Sequence, residues 1–112
     1  METSKVISKF QDLLKELNFE TISKLDEKDY EKFILEFFVK INRLKFQGLE
    51  VSSTLKGIID KVYYDFSTHF DKSPLYEERI QDIFMELTGF CPPPKFWNTP
   101  FEEYMRRKWK IL

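Results

Sequence analysis

The sequence predicts an all-α fold, a compact single-domain bundle of about five short-to-medium helices around an aromatic-rich core. Apolar residues recur at helical spacing in nearly every segment, and strict alternation over strand lengths is absent. Residues that favour helix caps precede several of these segments. Aromatic residues make up 17% of the 112 residues, 12 of them Phe, and there is no alanine. We therefore expect Phe and Ile to fill the space between the helices.

The first half of the chain predicts two helices. The first covers residues 4–17, and a short polar connection around residues 21–25, with room for one further turn, follows it. Asp26 has the position of an N-cap for the longest helix, roughly residues 27–46. Gly48 lies where a glycine commonly ends a helix in the left-handed conformation. Seven apolar residues of the longest helix match one helical face.

Two further helices are predicted from their caps. Ser52 or Ser53 caps the third helix. The fourth begins at Ser73 and Pro74, with serine as the cap and proline at the first helical position. It ends at Gly89. The order of polar cap, apolar face and terminal glycine is typical of a helix in a small globular domain.

A proline-rich spacer, residues 91–100, separates these helices from a C-terminal helix within the single domain 1–112. Three consecutive prolines follow Cys91 and lack backbone donors, so this stretch is not helical. The sequence from Thr99 to Glu102 indicates a capping box, with Pro100 at the first helical position. One domain suits the length of the chain, which is sufficient to enclose a core.

The composition argues against an enzyme and against a metal or cofactor site. The chain has one His, one Cys and three Gly, so it lacks the material of most catalytic centres and phosphate loops. Asp65 and His69 are four residues apart on a helix and could hold a metal or form a base with its orienting partner. A surface pair at a helix end is the favoured interpretation. Cys91 is interpreted as a buried structural thiol, since the residues before it end a helix and the nearest cation in the sequence is Lys95.

The sequence predicts a cytoplasmic protein without membrane association. The first residues lack a basic segment followed by an apolar one, as a secretory signal requires. No apolar run approaches the roughly 18 residues that span a bilayer. A lone cysteine also fits a reducing compartment.

The fourth predicted helix carries an acidic stripe, Glu78, Asp82 and Glu86, at successive steps of four residues. Like charges at this spacing destabilise a helix by roughly 0.2–0.5 kcal/mol per pair. Seven acids and three bases lie between Asp60 and Glu86, a local net charge of −4. Either the basic end of the chain folds back onto the stripe, which is the simpler account, or a basic protein binds there. The candidate partner-binding residues are Asp60, Glu78, Asp82 and Glu86.

The end of the chain, Arg106, Arg107, Lys108, Trp109 and Lys110, mixes cations with an aromatic residue, as nucleic-acid sites do. Cations at a helix C-terminus also complement the helix dipole without any ligand. Since the net charge is only −1, no wider basic surface supports nucleic-acid binding. Arg106, Arg107, Lys108 and Trp109 form a candidate secondary interaction site. A nucleic-acid-associated regulator is the alternative function, and the Lys, Phe and Ile bias of the chain hints at a phage or mobile-element gene.

In size, predicted cytoplasmic character and absence of catalytic motifs, the chain resembles the small helical immunity proteins that bacteria make against toxins of contact-dependent growth inhibition systems. The resemblance covers the chain as a type and assigns no individual residues, because no diagnostic motif is shared. It implies a non-catalytic inhibitor whose partner is a toxin domain, often a basic nuclease, blocked by covering its active site. The region from Asp60 to Glu86 would suit such a partner.

Overall fold

The computed structural model describes residues 2–111, and in this range the protein is all-α without strands. The helices are α1 (Glu2–Leu14), α2 (Phe19–Ile22), α3 (Glu27–Phe46), α4 (Ser53–Ser67), α5 (Pro74–Thr88) and α6 (Phe101–Tyr104). The last helix continues as a π-helical segment, Met105–Trp109. The predicted fold class is therefore confirmed. Within residues 2–111, no helix is both long and apolar enough to cross a membrane.

Three short 3₁₀ turns connect the helices, at Lys15–Leu17, Phe70–Lys72 and Phe96–Asn98. The first of them takes the last turn of the helix predicted over residues 4–17, so α1 ends three residues earlier. The predicted turn in the following polar connection is α2.

Side-chain caps start three of the long helices as the sequence predicts. Asp26 Oδ1 accepts a hydrogen bond from the backbone N–H three residues on, at 2.8 Å. Ser73 Oγ accepts the equivalent bond at 3.1 Å. At α4, Ser52 rather than Ser53 is the cap, with its Oγ accepting at 3.1 Å. Each bond satisfies one of the amides that a helix start leaves unpaired.

Glycines end α3 and α5, also as predicted. Gly48 has φ 111° and Gly89 has φ 78°, in the region that disfavours residues with a Cβ. At the end of α3 the Leu49 N–H donates to the Leu44 carbonyl at 2.9 Å, and the Gly48 N–H donates to the Lys45 carbonyl at 3.2 Å. This pair of bonds is the Schellman motif, which satisfies carbonyls at the helix end.

The predicted capping box at Thr99 is wrong. Pro100 is the N-cap of α6, its carbonyl accepts from the Tyr104 N–H at 2.9 Å, and no side chain caps the helix. Because the proline stands before the helix rather than inside it, Thr99 lies one residue too early to reach the unpaired amides.

The predicted aromatic core is present, and Phe38 of α3 lies in it fully buried. Its ring centroid is 5.3 Å from that of Phe96, 5.7 Å from Tyr104 and 5.6 Å from Trp109. Phe96 belongs to the 3₁₀ turn in the predicted spacer and is only 1% exposed. The spacer therefore contributes to the core and brings the C-terminal segment against α3 and α5.

Candidate functional site

The three members of the acidic stripe on α5 differ in exposure. Glu78 is exposed, the Asp82 side chain is 41% exposed, and Glu86 is 1% exposed. Steps of four residues advance about 40° beyond one full helical turn, so the stripe rotates from the solvent side into the interior. The expectation of one continuous acidic surface is corrected accordingly: Glu86 belongs to the interior of the protein.

Lys108 from the C-terminal segment folds back onto the inner half of the stripe. Its Nζ lies 2.9 Å from Asp82 Oδ1 and 3.6 Å from Glu86 Oε2. Tyr104 Oη donates to the other Glu86 oxygen at 2.6 Å. Burial lowers the pKa of Lys108, but the hydrogen bond and charge of Asp82, followed by those of Glu86, outweigh it and the pKa is raised. The inner carboxylates therefore fix the C-terminal segment.

The remaining residues of the secondary interaction site are divided between internal contacts and solvent. Arg107 pairs with Glu103 at 3.1 Å, one helical turn away. Trp109 Nε1 donates to Tyr104 Oη at 3.1 Å. Arg106 is exposed. Most of the cluster thus stabilises its own segment.

Two residues of the stripe, Glu78 and Asp82, line a groove of about 320 Å³ between α3, α5 and the C-terminal segment. We call this the acidic groove, because Glu27 and Glu31 of α3 face it together with Glu78 and Asp82 of α5. Its apolar lining is Ile34, Leu75, Trp109 and Ile111. Glu27, Glu31 and Glu78 are exposed, and within residues 2–111 no salt bridge involves them.

Arg79 and Tyr30 form the inner wall of the acidic groove. Arg79 is 6% exposed, and its Nη1 donates to the carbonyls of Ile22 and Leu25 at 2.9 and 2.8 Å. Its guanidinium carbon lies 4.2 Å from the centre of the Tyr30 ring. Burial, and after it the charge of Asp82, raises the pKa of Tyr30, so the phenol stays neutral. Arg79, the cation among the described residues that line the groove, is thus held inside the protein, while Glu27, Glu31 and Glu78 face solvent.

A second groove of about 340 Å³ lies between α4 and α5. We call it the apolar groove; its lining includes Ile59, Tyr63, Phe84, Met85 and Phe90. Met85 is 45% exposed and Phe90 is 77% exposed. Asp60, one of the predicted partner-binding residues, is part of this lining rather than of the acidic groove.

The structure does not bring the other chemically interesting residues together. His69 stacks on Phe19, with ring centroids 5.2 Å apart, and no salt bridge with Asp65 is found among the described residues. No group of three or more potential metal ligands is gathered within residues 2–111. Cys91 is free and buried, and burial, with Glu86 nearby, raises the pKa of its thiol to about 11. A thiol of this kind is a poor nucleophile.

Three charged residues of the acidic groove, Glu27, Glu31 and Arg79, were not predicted from the sequence as site residues. Glu27 and Glu31 lie on the same face of α3 as Ile34, but the spacing alone does not say that this face lies beside α5. Arg79 had a visible signal, because it lies three and four residues from the buried Tyr76 and Ile83 and therefore on the inner face of α5.

No protein-family model, curated protein or solved structure matches the chain.

Proposed function

We propose that the protein is a non-catalytic binding module that neutralises a basic partner protein by covering its active site. The partner would be a toxin domain, and the protein a bacterial immunity protein acting in the cytoplasm. The acidic groove is the observation that carries the proposal. It offers a concave surface in which carboxylates from two helices converge on one place.

The charge distribution in the groove favours a cationic partner. Glu31 and Glu78 stand at the rim without an internal counter-ion among the described residues, while the cation in the lining, Arg79, is 6% exposed. An arginine or lysine of a partner would meet carboxylates on both sides and apolar side chains beneath. Complementary charge would also raise the association rate, which suits an inhibitor that must act quickly.

The outer carboxylates also impose a cost on the fold. Glu27 and Glu31 are a like-charge pair four residues apart, which destabilises a helix by roughly 0.2–0.5 kcal/mol. Glu78 and Asp82 have the same spacing, although Lys108 offsets part of the charge of Asp82. Glu27 is in the first turn of α3, where the helix dipole favours a negative charge. Glu31 and Glu78 have no such structural explanation, and a binding role supplies one.

Nucleic-acid binding receives less support from the same contacts. Lys108 is paired with Asp82 and Glu86, and Arg107 with Glu103, so few cations of the basic segment face solvent unpaired. A nucleic-acid surface needs several cations free to replace counter-ions on phosphates.

Co-expression with a toxin domain encoded directly upstream of the gene tests the proposal. We expect the protein to protect the cells and to co-purify with the toxin as a complex that forms faster at low salt than at high salt. The triple variant Glu27→Lys, Glu31→Lys and Glu78→Lys should slow association at least about tenfold and flatten its salt dependence.

A control with the same change in net charge separates a local effect from a global one. Glu36, Glu50 and Asp71 are exposed acids outside both grooves, and all three can be changed to Lys together. This control should keep most of the association rate. If both triple variants associate equally fast, or if the protein gives no protection, the proposed function is wrong.

A further inference from the structure

We infer that the acidic groove and the apolar groove are two halves of one docking surface that straddles α5, and that its occupant is an extended segment of a basic protein with a cationic end and an apolar end. This inference rests on the proposed function and specifies the chemistry of the partner. The cationic end would lie in the acidic groove and the apolar end against Met85 and Phe90.

The positions of the lining residues on α5 place the grooves side by side. Glu78 and Asp82 face the acidic groove, and Gln81 and Met85 face the apolar groove. The α5 residues that line the acidic groove lie between positions 75 and 82 and those that line the apolar groove between positions 81 and 88, so the grooves are offset by about six residues, or about 9 Å along the axis. At about 100° per residue the two sets lie about 120° apart around a helix about 10 Å across, so the grooves are about 12 Å apart, which about four residues of extended chain would span.

Exposed apolar side chains are concentrated along this path. Large hydrophobic residues exposed in the described part of the chain are Phe46, Val51, Tyr64, Leu75, Met85 and Phe90. Leu75 borders the acidic groove, and Met85 and Phe90 border the apolar groove. Half of these side chains therefore line the proposed surface.

The two grooves would contribute differently to binding. Surface carboxylates mainly accelerate encounter with a cationic segment, and their effect weakens as salt rises. A buried aliphatic or aromatic anchor mainly slows dissociation and is nearly independent of salt. A segment that engages both grooves would combine fast capture with long residence.

Three synthetic peptides test the inference on the intact protein. The bipartite peptide carries Arg and Lys, then a Gly/Ser spacer of about four residues, then Leu and Phe. The basic peptide has Ser in place of Leu and Phe. The unspaced peptide has the composition of the bipartite one, with its spacer moved to the end. Binding is measured by fluorescence anisotropy, and the contact surface is mapped by amide chemical shifts.

We expect the bipartite peptide to bind about tenfold more tightly than the basic one and to shift amides around both grooves. The unspaced peptide should lose most of this gain. Met85→Gln with Phe90→Ser should remove the gain and leave the affinity for the basic peptide unchanged. Both side chains are exposed, so the fold should tolerate these changes.

The results separate this inference from the proposed function. If all three peptides bind equally, or if Met85→Gln with Phe90→Ser leaves the gain intact, the joint surface is wrong while a basic partner for the acidic groove stands. If the basic peptide does not bind, or binds equally well after Glu31→Gln and Glu78→Gln, the acidic groove is not a cation site and both proposals fall.

Discussion

Glu78 and Glu86 are the same residue type on the same helix, yet they occupy opposite environments. Glu86 is 1% exposed, accepts a hydrogen bond from Tyr104 and lies 3.6 Å from Lys108. Glu78 is exposed and faces the acidic groove. The inner carboxylate therefore fixes the fold, and the outer carboxylate is available to a partner.

The difference arises from helix geometry rather than from chemistry. Each step of four residues turns the side chain about 40° further around the axis. Two such steps carry the stripe from solvent at Glu78, through the half-exposed Asp82, to the interior at Glu86. A stripe of like charges on a helix should thus be followed residue by residue before it is assigned to one surface.

Removing the inner carboxylate should have the largest effect on stability. Glu86→Ala leaves the buried Tyr104 hydroxyl without an acceptor for its proton and Lys108 with Asp82 alone, and we expect it to lower the free energy of unfolding by about 3 kcal/mol. Urea denaturation measures the loss. The matched variant Glu78→Ala should change stability by less than about 0.5 kcal/mol. Equal losses in the two variants would erase the distinction between the two ends of the stripe.

The pH dependence of stability tests the surroundings of the buried Glu86, where Cys91 also lies. Burial raises the pKa of Cys91 from 9.0 to about 11, with Glu86 contributing. The unfolded state therefore loses the thiol proton first, so this contribution to stability is fully present below pH 9 and is lost as the pH rises through about 11.

Between pH 8 and pH 11 the loss due to Cys91 should reach about 2 kcal/mol. Cys91→Val removes the titrating group, and its stability should fall correspondingly less over this range. Urea denaturation at both pH values gives the comparison. If the free energy of unfolding falls equally with pH in the wild type and in Cys91→Val, the thiol has the same pKa in the folded and unfolded states.

Tyr104→Phe should have a smaller effect at the same end. It removes the hydrogen bond that the hydroxyl donates to Glu86 and the one it accepts from Trp109, but it keeps the ring that packs on Phe38, so we expect a loss of about 1.5 kcal/mol. Tyr64→Phe is the control, because Tyr64 is 73% exposed. If the two variants are equally stable in thermal unfolding, the buried hydroxyl does not hold the carboxylate in place.

Local signals in the sequence predicted most of the fold. Asp26, Ser73 and Gly89 act within a few residues of themselves, so their roles follow from neighbouring residues. The capping box predicted at Thr99 was wrong because Pro100 is itself the N-cap of α6. Whether a threonine before a proline can reach a helix amide depends on which of the two residues is the N-cap.

The candidate site was less accessible to prediction because it depends on long-range packing. Glu31 and Glu78 are far apart in sequence and lie together only because α3 and α5 border one groove. The burial of Phe96 was not predicted either, because this residue lies in the predicted spacer and packs against Phe38, which is distant in sequence. The inward position of Glu86 was open to prediction, because two steps of four residues turn a helical side chain about 80° around the axis relative to Glu78.

The most direct test of the central claim is urea denaturation of the wild type and of Glu31→Gln with Glu78→Gln, each with and without the basic peptide. Without peptide, the variant should be as stable as the wild type or up to about 0.5 kcal/mol more stable, because like-charge pairs are relieved. With peptide at about 100 times its dissociation constant, the wild type should gain about 2.7 kcal/mol and the variant far less. A variant that is less stable by more than about 1 kcal/mol without peptide, or that gains as much as the wild type with it, would contradict the assignment of the outer carboxylates to binding.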